Sequence, residues 1–276
     1  MGKVKRYIQK LATTNRVFVS NKRERRIAFE QAEKLGVNSI PIFIINYNRL
    51  DCLKKLIARL EELGTTNINI IDNASTYPPL LEYYDQTDYK VFRLDKNWGH
   101  MVFWNCDIFK DYRDGFFVLT DSDVVPTEDC PNTYLETFLA LLKKYPRLRK
   151  VGFSLKLDDL PEDGILSKDA ITWESQFYER PLPKDNAYIA LIDTTFAMYA
   201  PERIVTKTIS YVSLRTASPI EARHLPWYKR KEDITEEDVY YSQNKENGWW
   251  DAAAGNITPD TEEEKELISR RRKGKL

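Results

Sequence analysis

The stretch PIFIINYNRLDCLKKLIARLEELG, residues 41–64, changes its periodicity partway along. With Ile40 included, its opening IPIFIIN (40–46) is a continuous apolar run rich in isoleucine and of strand length. A run with no polar alternation suits a strand buried on both faces. From Asp51 onward the period becomes helical. Leu53, Leu56, Ile57, Leu60 and Leu63 fall on one stripe, Asp51 stands where it can cap the start, and Gly64 suits the C′ position. A doubly buried strand followed at once by an amphipathic helix opens a parallel α/β sheet with crossover helices.

The chain on either side keeps that rhythm. RIAFEQAEKLGV (26–37) reads as a short helix stopped by Gly36, and INIID (68–72), KVFRL (90–94) and FFVLT (116–120) read as further strands. WGHMVFWNCDIFKDY (98–112) has the makings of a helix between the last two. Beyond it, NTYLETFLALLKKY (132–145) is a helix ended by Pro146, KVGFSL (150–155) a strand, and AYIALIDTTFAMYAP (187–201) two short strands around Asp193. In open parallel sheets ligands sit beyond the carboxyl ends of the strands. Here those ends carry Asn46-Tyr47-Asn48-Arg49, Asp72-Asn73, Asp95 to Gly99, and Asp121-Ser122-Asp123. Four polar strand ends facing one crevice are more than the fold alone requires.

Length and charge set the outer limits. The 276 residues, 42% hydrophobic, suffice for one large α/β domain. The expected organisation is a basic arm at 1–30, a single domain at 31–257 divided near residue 130 into two halves, and a charged tail at 258–276. Residues 1–26 carry nine Lys and Arg against Glu24 alone, and the tail SRRRKGKL adds five more basic residues. Such ends could touch an anionic membrane peripherally. They lack the interleaved aromatics of a nucleic-acid reader, so no nucleic-acid partner is expected. No apolar run approaches the ~18 residues of a membrane span, and the N-terminus lacks the apolar core of a secretory leader. Cys52, Cys106 and Cys130 are odd in number and widely spaced, which favours reduced thiols and a cytoplasmic setting.

FFVLTDSDVV (116–125) places two carboxylates at a strand end. Carboxylates at i and i+2 in a turn can converge on one hard divalent cation. Taken by itself the triplet also fits a solvated turn, or the nucleophile strand of a haloacid-dehalogenase-type phosphatase with Asp121 attacking phosphorus. Against the phosphatase, two βαβ units' worth of chain precede the motif.

Taken in order, four segments resemble the family 2 glycosyltransferases of GT-A fold. They are PIFIINYNRLDCLKKLIARL, INIIDNAST, LDKNWG and FFVLTDSDVVP, which together lie within residues 38–130. The resemblance implies a Rossmann-like, mostly parallel sheet with an acceptor-side C-terminal half. It also implies a nucleotide-sugar donor, UDP-linked by preference, Mn²⁺ or Mg²⁺, and a glycan or lipid-linked acceptor. Asn46, Tyr47, Asn48 and Arg49 would lie around base and ribose, with Arg49 near the diphosphate. Asp72 would accept from a uracil-type imide N–H, Asn97 and Gly99 would let the backbone approach the donor, Asp121 would contact ribose or metal, and Asp123 would ligate the metal. His224 would complete the metal shell. The family's Glu-Asp base pair is absent as such, which leaves Asp193 and Glu174 as candidate bases for an inverting transfer. Trp227, Tyr228, Trp249 and Trp250 offer either an acceptor platform or an aromatic core. A GT-A-fold domain that binds a nucleotide sugar without turning it over is the non-catalytic alternative.

Overall fold

The computed structural model describes residues 22–192, 195–201, 213–246 and 250–257. Helix α1 (Lys22–Leu35) leads into β1 (Ile42–Asn46), and every residue of β1 is buried. Alternation along the strand sorts its side chains to two faces. Ile42 and Ile44 join one core with Leu53, Leu56 and Leu60 of α2 (Leu50–Glu62). Phe43 and Ile45 join another with Val102, Phe103, Ile108 and Phe109. Gly64, at φ 77°, ends α2 as expected, its N–H donating to Glu61 O while Thr65 N–H reaches Leu60 O. Asp51 does not cap the start. It pairs instead with Lys55 one turn on, at 2.8 Å.

The chain continues through β2 (Ile68–Asp72), α3 (Pro78–Gln86), β3 (Lys90–Arg93), α4 (Val102–Asn105), α5 (Ile108–Tyr112), β4 (Phe117–Asp121) and β5 (Val124–Pro126). There follow α6 (Tyr134–Lys144), β6 (Lys150–Leu155), α7 (Ser167–Glu174), β7 (Pro181–Leu182), β8 (Ala187–Ile189), β9 (Ala197–Tyr199), β10 (Ser213–His224) and α8 (Glu236–Asn244). A small hairpin, β11 (Trp250–Asp251) with β12 (Asn256–Ile257), closes the described chain. The main sheet runs β3-β2-β1-β4-β9-β6-β10-β8-β7, with β5 paired to β10 off that path. Strands β1 to β4 are mutually parallel. Because β9 is antiparallel to both β4 and β6, and β10 is parallel to β6, all six point the same way. The α/β class and the mostly parallel sheet with flanking helices are those read from the sequence.

Three differences have physical causes. The helix expected over 98–112 is split in two, because Cys106 is extended (φ −102°, ψ 171°) and interrupts the ladder. β10 went unread because Ser218 and Pro219 interrupt its apolar pattern, and its pairing with β6 shifts register between Thr216 and Glu221. The basic arm does not extend to residue 30. From Lys22 the chain is helical, Ala28 and Ala32 are buried, and the buried Arg25 donates to Leu142 O and Leu148 O at 3.0 Å each.

At the centre, β6 and β9 approach so closely that Gly152 has no room for a side chain. A Cβ there would lie 2.3 Å from Phe196 O and 2.7 Å from Ala197 Cβ, both fixed by the sheet. Gly152→Ala must therefore push two central strands apart. The expected loss is about 1–3 kcal/mol of unfolding free energy, measurable as a lower urea midpoint at unchanged slope.

Candidate active site

The same-facing strands bring their carboxyl ends to one edge, and β10 ends there too, at His224. After Asp121 the chain turns through Ser122, whose N–H donates to Ile45 O (3.1 Å), and enters β5. β5 then pairs antiparallel with β10, setting Val124 opposite His224, and Leu225 N–H donates to Asp123 O at 2.9 Å. This crossing carries the Asp123 carboxylate to the imidazole, with His224 Nε2 3.6 Å from Asp123 Oδ1. Asp123 Oδ1 and His224 Nδ1 are both buried and without a hydrogen-bond partner. Burial lowers the His224 pKa, Asp123 opposing that shift and Arg49 reinforcing it. The ring therefore stands neutral near pH 7, with a lone pair to give.

Among the described residues no three His, Cys, Asp or Glu side chains gather to hold a metal. Asp123 and His224 meet here as a carboxylate and an imidazole. A divalent ion that completes its shell with phosphate oxygens and water needs only one or two protein ligands. An unpartnered carboxylate oxygen facing a neutral imidazole fits that demand. Asp121 ends β4 opposite Ile45, half-buried beside this pair.

The other strand ends are tied to one another. Asn48, at φ 53°, is fully buried. Its Oδ1 accepts from Thr76 N (2.7 Å) and Tyr77 N (2.9 Å), and its own N–H donates to Ser75 Oγ (2.9 Å). The short amide tolerates the left-handed backbone and clamps the β1–α2 turn to the loop after β2. Asn46 Nδ2 donates to Tyr84 OH at 2.8 Å. Asp72 is buried and accepts from Ser75 N at 3.1 Å, with Arg93 Nε 3.7 Å from its other oxygen. Burial pushes its pKa up, and Ser75 and then Arg93 pull it back. Asn73, read from the sequence only as part of a polar strand end, docks the Asn97–Gly99 turn. Its Nδ2 donates to Asn97 Oδ1 (2.7 Å) and its Oδ1 accepts from Trp98 N (2.8 Å). Gly99 takes φ 70° there, its N–H donating to Asn97 Oδ1.

Other residues take unexpected places. Arg49 is buried, donates to Asp238 Oδ1 at 2.9 Å and stacks 3.8 Å over the Tyr241 ring, so its guanidinium is held by α8. Tyr47 OH donates to Asn244 O at the far end of that helix (2.7 Å). α8 itself carries a legible signal, the capping box from Thr235 to Asp238. Glu174 is buried in an ion pair with Arg215, whose Nε also donates to Leu191 O (2.7 Å). Arg215 is level with Gly152, and through Ala197 with Leu119, two residues below Asp121. Glu174 thus neutralises an internal arginine below the sheet edge, an arrangement unsuited to the base role expected of it. Trp227 is core, packed 4.6 Å from the His224 ring and 5.0 Å from Trp250. Asp193 and Trp249 lie outside the described residues.

No protein-family model matches the chain, and no curated protein does. Among solved structures 36 chains match. S. aureus TarS 1–349 gives a TM-score of 0.40 at 14% identity, covering 85% of this chain and 72% of that one. Glucosyl-3-phosphoglycerate synthase from Mycobacterium tuberculosis with phosphoglyceric acid gives 0.37 at 10% identity, covering 59% and 56%. The same synthase with Mn²⁺ and uridine-diphosphate-glucose gives 0.39 at 8%, covering 86% and 77%. Likeness of this degree carries nothing about chemistry, which rests on the side chains above.

Removing Glu174 strands Arg215 in the interior. Glu174→Ala should cost about 3–5 kcal/mol of stability, seen as a large fall in the urea midpoint. A variant of unchanged stability would contradict the buried pair.

Proposed function

We propose that the chain is a metal-dependent glycosyltransferase, transferring sugar with inversion from a nucleoside diphosphate donor, UDP-linked by preference, to a glycan or lipid-linked acceptor. The observation that carries this reading is the buried, unpartnered Asp123 Oδ1 facing His224 at the carboxyl edge of the sheet. Asp123 and His224 would hold Mn²⁺ or Mg²⁺, with Asp121 beside them. When bound, such an ion would stabilise negative charge on the departing diphosphate. Asp72 would accept from the imide N–H of uracil, beside a wall made by Asn46, Tyr47 and Asn48. Asn97 and Gly99 form a turn at the same edge, where a glycine offers no Cβ to obstruct a donor. Arg49 acts from behind this wall, held by Asp238, instead of touching the diphosphate.

The base falls to Asp193. With Glu174 committed to Arg215, it is the remaining carboxylate of the two the sequence offers. In the sequence Asp193 follows an apolar run, the pattern of a strand end. Its carboxylate would take the proton of the acceptor hydroxyl as that oxygen attacks the sugar's anomeric carbon and the bond to the diphosphate breaks.

Screening UDP- and GDP-sugars for nucleotide release, with and without Mn²⁺, tests the reading directly. Asp123→Asn and His224→Ala should each lower metal-dependent turnover, the former by about 100-fold or more. Undiminished turnover by Asp123→Asn would sink the assignment. Tight UDP binding with no release from any donor would mark the chain as a binder instead.

A further inference from the structure

Helix α8 follows the segment that bears His224, yet its acidic first turn is docked on the opposite wall of the crevice. The Glu237 carboxylate accepts from Leu50 N (2.7 Å) and Asp51 N (3.0 Å), the first free amides of α2. Asp238 is buried and fully engaged. Oδ1 accepts from Arg49 Nη1 at 2.9 Å, while Oδ2 accepts from Thr235 N (2.9 Å), Thr235 Oγ1 (2.8 Å) and Lys229 Nζ.

The two cations on Asp238 belong to different walls. Arg49 closes the turn after β1, and burial that would discharge it is outweighed by the surrounding acidic groups, Asp123 among them. Lys229 stands at the end of the short turn Leu225–Tyr228, which starts from His224 and is fixed on its other side by Lys229 O accepting from Ile165 N (2.9 Å). One carboxylate thus joins the β1–α2 turn to the strand end that presents His224. A buried carboxylate holding two cations is strongly directional, and its loss leaves both uncompensated.

We propose that Asp238 is a positioning residue for the Asp123–His224 pair, acting through Arg49 on one wall and Lys229 on the other; this rests on the nucleotide-sugar reading above. With both oxygens engaged by protein groups, Asp238 would act on metal and donor only through its neighbours. The β5–β10 pairing brings His224 to Asp123, and Asp238 holds the strand end that bears His224 against the β1–α2 turn, so that the imidazole keeps its place in that pair.

Titration calorimetry of UDP in the presence of Mn²⁺, on wild type, Asp238→Asn, His224→Ala and the double variant, tests this. Asp238→Asn should weaken metal-dependent UDP binding by about tenfold or more, and the same change should add no further loss once His224 is alanine. Wild-type affinity in Asp238→Asn, even with a lowered melting temperature, overturns the proposal and shows a purely structural tie. An equal loss in both backgrounds overturns it too, since the effect would not pass through His224. If Asp238→Asn fails to fold, Lys229→Met breaks one arm alone and should show the same His224-dependent loss; full affinity there overturns the proposal. A wild-type protein that binds no UDP with Mn²⁺ present overturns the glycosyltransferase reading itself, and the inference with it.

Discussion

A carboxylate oxygen withdrawn from water without a partner is the constraint around which this edge of the molecule is arranged. Taking such a charge out of solvent costs several kcal/mol unless neighbours compensate. Asp123 shares an electrostatic field with the buried Arg49, and an imidazole kept neutral by its own burial stands 3.6 Å away. Cys52, in the first turn of α2, lies in the same field, and burial pushes its thiol up to about 12, so it stays uncharged.

The walls beside it are stiff in a particular way. The loops after β1 and β2 are each pinned by a side-chain amide reaching across to the next loop, Asn48 to the turn after β2 and Asn73 to the turn at Asn97. Both amides are buried, so these bonds form in a low-dielectric setting where they are strong and costly to break. A crevice whose rim is fixed by its own amides needs no ligand to shape it, which is what a preorganised site requires.

The first half of the fold was legible because its signals are local. The isoleucine run, the leucine stripe of α2 and the isoleucine-rich pentad INIID each specify an element within a few residues, and all appear where the sequence puts them. Strand β10 was not legible, because it is held by neighbours on both sides while Ser218, Pro219 and a register shift erase its own pattern. The same division applies to the site. Asp123 and His224 could be named from motif and position, and the structure places them together. The fates of Arg49 and Glu174 could not be read, since each is decided by a partner far off in sequence, Asp238 and Arg215, and no periodicity announces a buried ion pair.

The cap on α2 has a consequence for how the chain is made. The residue before that helix offers no side-chain acceptor, and its first amides are met by Glu237, 187 positions after Leu50. Closing so distant a contact comes late in folding, because chain entropy must be overcome before the contact can form. The body of α2 can thus form early, yet the opening turn of that helix stays frayed until α8 has been synthesised. The carboxyl edge of the sheet is then completed only once α8 is present.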